Sequence, residues 1–290
     1  MWSVRAALAS LVLALIAGGS AWAMDPDQEQ EFAQRLAAGA KPQLTRLNDV
    51  VIEDYKRPPK DFNAHEFLVI RKPGAEPIRL AAQSFTMRNL QVGAGPGPNT
   101  IFVGYAGGAH CCYTVYLLWI AGEFRVQTIE LFDSELKIDS VGRTPRLSFY
   151  DFNFAYWNAS FADSPAPLVI LSYDPSRGEY AADGPAMRKP APSAEALAQQ
   201  AAKIRKIYED LQPDDLDAEL WGAMLDLIYA GNAAAARALL DLAWPPNRPE
   251  KDAFLKDFTK QLWEGTTWRR FDLARVLAAS DAFPAPAAAP

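Results

Sequence analysis

The residues best suited to chemistry lie in one glycine-rich run, Gly104-Tyr105-Ala106-Gly107-Gly108-Ala109-His110-Cys111-Cys112-Tyr113, flanked by strongly apolar segments. Its two cysteines are adjacent and are the only ones in the chain. In an oxidising compartment the intramolecular option is a vicinal disulfide. Cα atoms across a trans peptide lie about 3.8 Å apart, short of the usual disulfide span of about 4.4 to 6.8 Å, so this bridge must distort its linking peptide and becomes easier to reduce. One reading is therefore a structural bridge that rigidifies a turn, with Gly107 and Gly108 supplying backbone angles that a Cβ resists. A second is a thiol-redox site in which His110 helps to hold a thiolate. A third is a soft-metal site for Cu(I) or Zn²⁺ made of His110, Cys111 and Cys112, ligand types that such ions prefer. Consecutive ligands lack the gap of ordinary zinc motifs, and the only other histidine, His65, lies far away in sequence. All three readings stay open at this level.

Which chemistry applies depends on where the chain goes. Arg5 is the only charge in the first 23 residues, and the apolar stretch 6–17 is shorter than the roughly 20 residues that span a bilayer. Gly18, Gly19 and Ser20 break that stretch, and Ala21-Trp22-Ala23 supplies the small-x-small pattern read by a signal peptidase. The expectation is a cleavable signal peptide, cut between Ala23 and Met24, and secretion into the periplasm. No later run approaches a membrane span, so stable membrane insertion is not expected. The formal charge of −6 is spread without long blocks of one sign, which leaves no electrostatic footprint for nucleic acid.

The rest of the chain must position the cysteine loop. Residues 24–60 read as a helical or irregular segment, with one short helix around Phe32 and Leu36 and a second carrying Leu44, Leu47, Val50 and Val51. From 61 to 183, short runs rich in Val, Ile and aromatics alternate with Gly, Pro, Asn and Asp clusters, the pattern of a mainly antiparallel β domain. The clearest strands are 66–71, 77–81, 100–105, 113–120, 124–131, 146–154 and 168–173, with a tight hairpin at Ala121-Gly122-Glu123. Residues 184–192, with Pro185, Pro190 and Pro192, read as a linker. Apolar residues then recur at helical spacing over 193–280, with Ser193 as an N-cap, Asp214 or Asp215 opening a second helix and Gly231-Asn232 ending it. These hairpins resemble helical repeats without the roughly 34-residue period of the tetratricopeptide type. Residues 281–290 read as a disordered tail. The expected fold class is thus α+β, an N-terminal mainly antiparallel β domain followed by a C-terminal all-α helical-hairpin domain.

The run 105–112, preceded by a strand and followed by Tyr-Thr-Val-Tyr-Leu-Leu, resembles a motif of uncharacterised exported bacterial proteins, some of them similar to integrin-like FG-GAP/VCBS β-repeat proteins. That resemblance implies a calcium loop whose nearest counterpart here is Asp151-Phe152-Asn153; Phe154 and Ala155 stand where Gly and further acids belong, so calcium is not expected. Residues 149–160 alternate as an aromatic strand, and Tyr156 and Trp157 are the candidate contacts for a glycan or a partner protein. No hydrolase elbow, zinc-protease helix, phosphate loop or dinucleotide fingerprint occurs. The sequence therefore leans away from an enzyme and towards a cofactor-free binding or interaction module of the cell envelope. Its candidate partners are an envelope protein or a glycan, its oligomeric state is open, and a thiol-redox or soft-metal protein acting through His110, Cys111 and Cys112 is the alternative.

Overall fold

The computed structural model describes residues 24–89, 97–107, 112–141, 144–210, 218–246, 248 and 250–286. The expected signal segment lies outside them, as do Gly108, His110 and Cys111 of the loop and the Asp214-Asp215 helix start. Helix α1 (Pro26–Ala37) opens on a capping box: the Asp25 carboxylate accepts from the Gln28 amide at 2.8 Å, and the Gln28 side chain accepts from the Asp25 amide at 3.1 Å.

Among the described residues, twelve strands form three four-stranded antiparallel sheets in succession along the chain. The first holds β1 (Gln43–Leu47), β2 (Val50–Tyr55), β3 (Glu66–Arg71) and β4 (Ile78–Ala82). The helix expected at 44–51 is instead the β1–β2 hairpin, with Leu47 paired to Val50. Asn48, at φ +55°, makes the turn, a conformation that Asn tolerates better than most residues. Strand β3 is buried on both faces. Leu68 and Ile70 pack towards the second sheet with Phe102, Leu118 and Val126, while Phe67 and Val69 pack with Phe32 of α1.

The second sheet holds β5 (Ser84–Asn89), β6 (Thr100–Tyr105), β7 (Tyr113–Trp119) and β8 (Arg125–Phe132). The β7–β8 turn falls at 121–123 as expected, with Gly122 at φ +78°. The third holds β9 (Lys137–Val141), β10 (Thr144–Tyr150), β11 (Leu168–Asp174) and β12 (Glu179–Ala182). Where β8 faces β12, the buried Gln127 side chain substitutes for a strand. Its Nε2 donates to the Tyr180 carbonyl and its Oε1 accepts from the Tyr180 amide, both at 2.8 Å.

The helices that follow are α2 (Gly184–Met187), α3 (Ala194–Asp210), α4 (Ala218–Tyr229), α5 (Ala233–Ala243), α6 (Lys251–Glu264), α7 (Thr266–Arg270) and α8 (Leu273–Val276). Ser193 caps α3, accepting from the Ala196 amide at 3.1 Å. These helices do not make a separate all-α domain, and the expected division into a β domain and an all-α domain is wrong. One continuous core joins Ile101 and Val115 of the second sheet, Leu147 and Phe149 of the third, and Leu220, Trp221, Leu240 and Phe258 of the helices. The apolar helix stripes that suggested self-contained hairpins are the surface that covers the sheets. The presumed linker belongs to the same body: Asp183 caps α2 by accepting from the Ala186 amide at 3.0 Å, and Met187 is buried. Of the presumed tail, 287–290 lie outside the described residues, but Phe283 is fully buried 5.6 Å from the Phe258 ring, and the Trp263 indole donates to its carbonyl at 2.9 Å.

Candidate functional site

Residues from β7, β8, the end of β10 and α7 surround a cleft of about 520 Å³. Its shape begins with an irregularity in β8. Tyr113 pairs with Phe132 and Thr114 with Glu130, so Leu131 is an extra residue in the strand. The bulge sends Leu131 into the core and turns Phe132, at φ +54°, towards the cleft. A bulky side chain in that left-handed region costs on the order of 1–3 kcal/mol, which the packing around it must supply. The Phe132 ring lies 6.2 Å from Phe152 and 6.5 Å from Phe161, and Phe152 and Phe161 stack at 5.3 Å with planes 9° apart.

The floor is built on Asp151, 4% exposed. Its carboxylate accepts from the Tyr229 hydroxyl at 2.6 Å, from the Asn153 amide at 3.1 Å and from the Thr267 hydroxyl. Burial raises the Asp151 carboxyl above the usual carboxylate range, and these three donors oppose the rise. Burial, with the Asp151 charge behind it, also pushes the Tyr229 hydroxyl well up. Both carboxylate oxygens are engaged by neutral donors, so Asp151 ties β10 to α4 and α7. Asn153 adds a second tie, its Nδ2 donating to the Gln261 carbonyl at 2.7 Å while Gln261 Nε2 donates to the Asn153 carbonyl at 2.6 Å. Gly265 permits this approach, since a Cβ there would come within 2.6 Å of the Asn153 amide.

The same bond from Asp151 to Asn153 ends the strand expected over 146–154, and 151–160 is a series of turns with Tyr156 at φ +61° and Asn158 at φ +52°. Strict alternation is lost there, so the two expected contacts part company. Tyr156 is 58% exposed, beside Phe161. Trp157 turns inward against Trp221, edge to face at 5.4 Å, and against Phe154 at 5.2 Å.

Of the cysteine loop, Cys112 lines the cleft and carries no free thiol. The loop base is closed by the Ala106 amide donating to the Cys112 carbonyl at 2.9 Å and by the Tyr105 and Tyr113 rings, 5.2 Å apart. Gly107, at φ +96°, sits where a Cβ would meet the Gln83 side chain at 2.5 Å. His65 serves a different purpose: its Nδ1 pairs with Glu31 at 2.6 Å and fastens α1 to the first sheet. Among the described residues no group of three or more His, Cys, Asp or Glu could hold a metal ion, and no helix is long and apolar enough to cross a membrane. No family model, curated protein or solved structure matches the chain.

A larger hollow of about 770 Å³ lies between the 158–166 turns and helices α3 and α4. It lacks what distinguishes the cleft, namely a buried carboxylate, a strand bulge and the cysteine loop at one place. Glu130, Phe132 and Phe161 carry no sequence signal, because the bulge that gathers them is visible only in the pairing register.

Proposed function

We propose that the protein is an exported, non-enzymatic binding module of the cell envelope whose ligand enters the cleft between β8, the 150–155 segment and α7. One observation carries this reading: the cleft is held in shape before any ligand arrives. Its aromatic wall stands on a strained Phe132, and its floor is a buried carboxylate with every oxygen engaged. Such preorganisation lowers the entropic cost of binding. Export rests on the signal-like segment 1–23, and a chain cut after Ala23 keeps Met24, which packs with Phe32 and Phe67.

The proposal includes a bridge between Cys112 and its neighbour Cys111 that stiffens the loop at the cleft rim. Protein purified without reductant should weigh about 2 Da less than its reduced form. An unchanged mass on reduction would remove the bridge from the account. For the cleft itself, small-molecule fragments should bind the wild type in ligand-observed NMR and lose binding to Phe152→Ala. Hits that persist in the variant would place recognition elsewhere.

A further inference from the structure

We infer that the cleft takes a small organic cation, a molecule presenting an alkylammonium or guanidinium group; this rests on the reading of the cleft as the binding site. The lining supplies four aromatic rings, Tyr113, Phe132, Tyr150 and Phe152, and one exposed carboxylate, Glu130, above the buried and fully engaged Asp151. Among the described residues of the lining there is no lysine or arginine. Aromatic faces carry the negative end of a ring quadrupole, and a carboxylate beside them supplies the charge that holds a cation over the ring. An anionic ligand is repelled by Glu130, while the Lys137 ammonium over Tyr150 stands at the rim and does not line the cleft.

The protein already displays the contact in question at the rim. The Lys137 ammonium lies over the Tyr150 ring, 5.6 Å from its centroid, and Tyr150 as a whole is 41% exposed. The volume of about 520 Å³ falls in the range of roughly 300 to 1,000 Å³ that small ligands occupy. The Thr114 and Thr266 hydroxyls on the same lining are polar groups that can orient the remainder of the molecule.

Glu130 is exposed on β8, so its exchange for Gln leaves the fold in place and removes one charge. The test is calorimetric titration of the full chain with choline and with its uncharged isostere 3,3-dimethylbutan-1-ol. Choline should bind at least about tenfold more tightly than the isostere, and Glu130→Gln should weaken choline by about tenfold. Equal affinity for the two compounds, or choline binding unmoved by Glu130→Gln, would overturn the cation assignment while leaving a neutral-ligand cleft. Binding of oligolysine without binding of choline would overturn it in favour of a protein partner. Failure of choline, isostere and fragments alike would overturn the cleft reading as well.

Discussion

Replacing Trp221 by Ala should cost roughly 3–5 kcal/mol and should destabilise sheets and helices together. Trp221 is fully buried on α4, edge to face with Trp157 at 5.4 Å and beside Phe254 at 6.5 Å. Truncation leaves a cavity at the point where the turns after β10 meet the helical layer. Because one core spans both, helix content followed by far-ultraviolet circular dichroism and strand content followed by infrared absorption should fall at the same urea concentration. Helices that melted apart from the strands would restore a separate helical domain and contradict the shared core. Trp221→Phe should cost less than Trp221→Ala, since Phe retains most of the ring and removes an indole N–H that finds no hydrogen-bond partner among the described residues.

Asp151→Ala should lower stability by at least about 3 kcal/mol, since it strands the Tyr229 hydroxyl, the Asn153 amide and the Thr267 hydroxyl, and each buried orphan costs about 1–3 kcal/mol. Asp151→Asn keeps an acceptor oxygen and isolates the charge. Burial raises the carboxyl pKa in the folded state above its unfolded value, so between the two values the folded chain binds more protons than the unfolded one. Stability contributed at this site therefore falls as pH rises through that window. The wild type, measured against Asp151→Asn by urea unfolding, should lose ground as pH rises through and above the ordinary carboxylate range. A gain over that range would mean that the three donors outweigh burial.

The seven strands expected from sequence lie within or across strands of the sheets, because each carries its own apolar run between turn residues. Five strands were not expected: β1, β5, β9 and β12 are sheet edges that need less apolar content, and β2, inside the first sheet, was read with β1 as a helix. Leu44, Leu47, Val50 and Val51 fit a helical stripe as well as a hairpin, and only the turn at Asn48 separates the two. At the site, the glycine-rich loop was legible because adjacent cysteines are conspicuous. The cleft beside it was not, since Phe132, Asp151, Tyr229 and Thr267 are distant in sequence and meet through a bulge and a buried hydrogen-bond set. The 149–160 stretch was read as one alternating strand, whereas it turns after Tyr150, leaving Tyr156 exposed and packing Trp157 against Trp221.

The central claim is that ligands enter this cleft and not the larger hollow between the 158–166 turns and helices α3 and α4. Backbone amide shifts of the labelled full chain, recorded with bound fragments, separate the two. Shifts at Thr114, Glu130, Phe132, Phe152 and Thr266, with Gln200, Glu219 and Asp226 unmoved, are the result expected. Shifts confined to Gln200, Glu219 and Asp226 would contradict it.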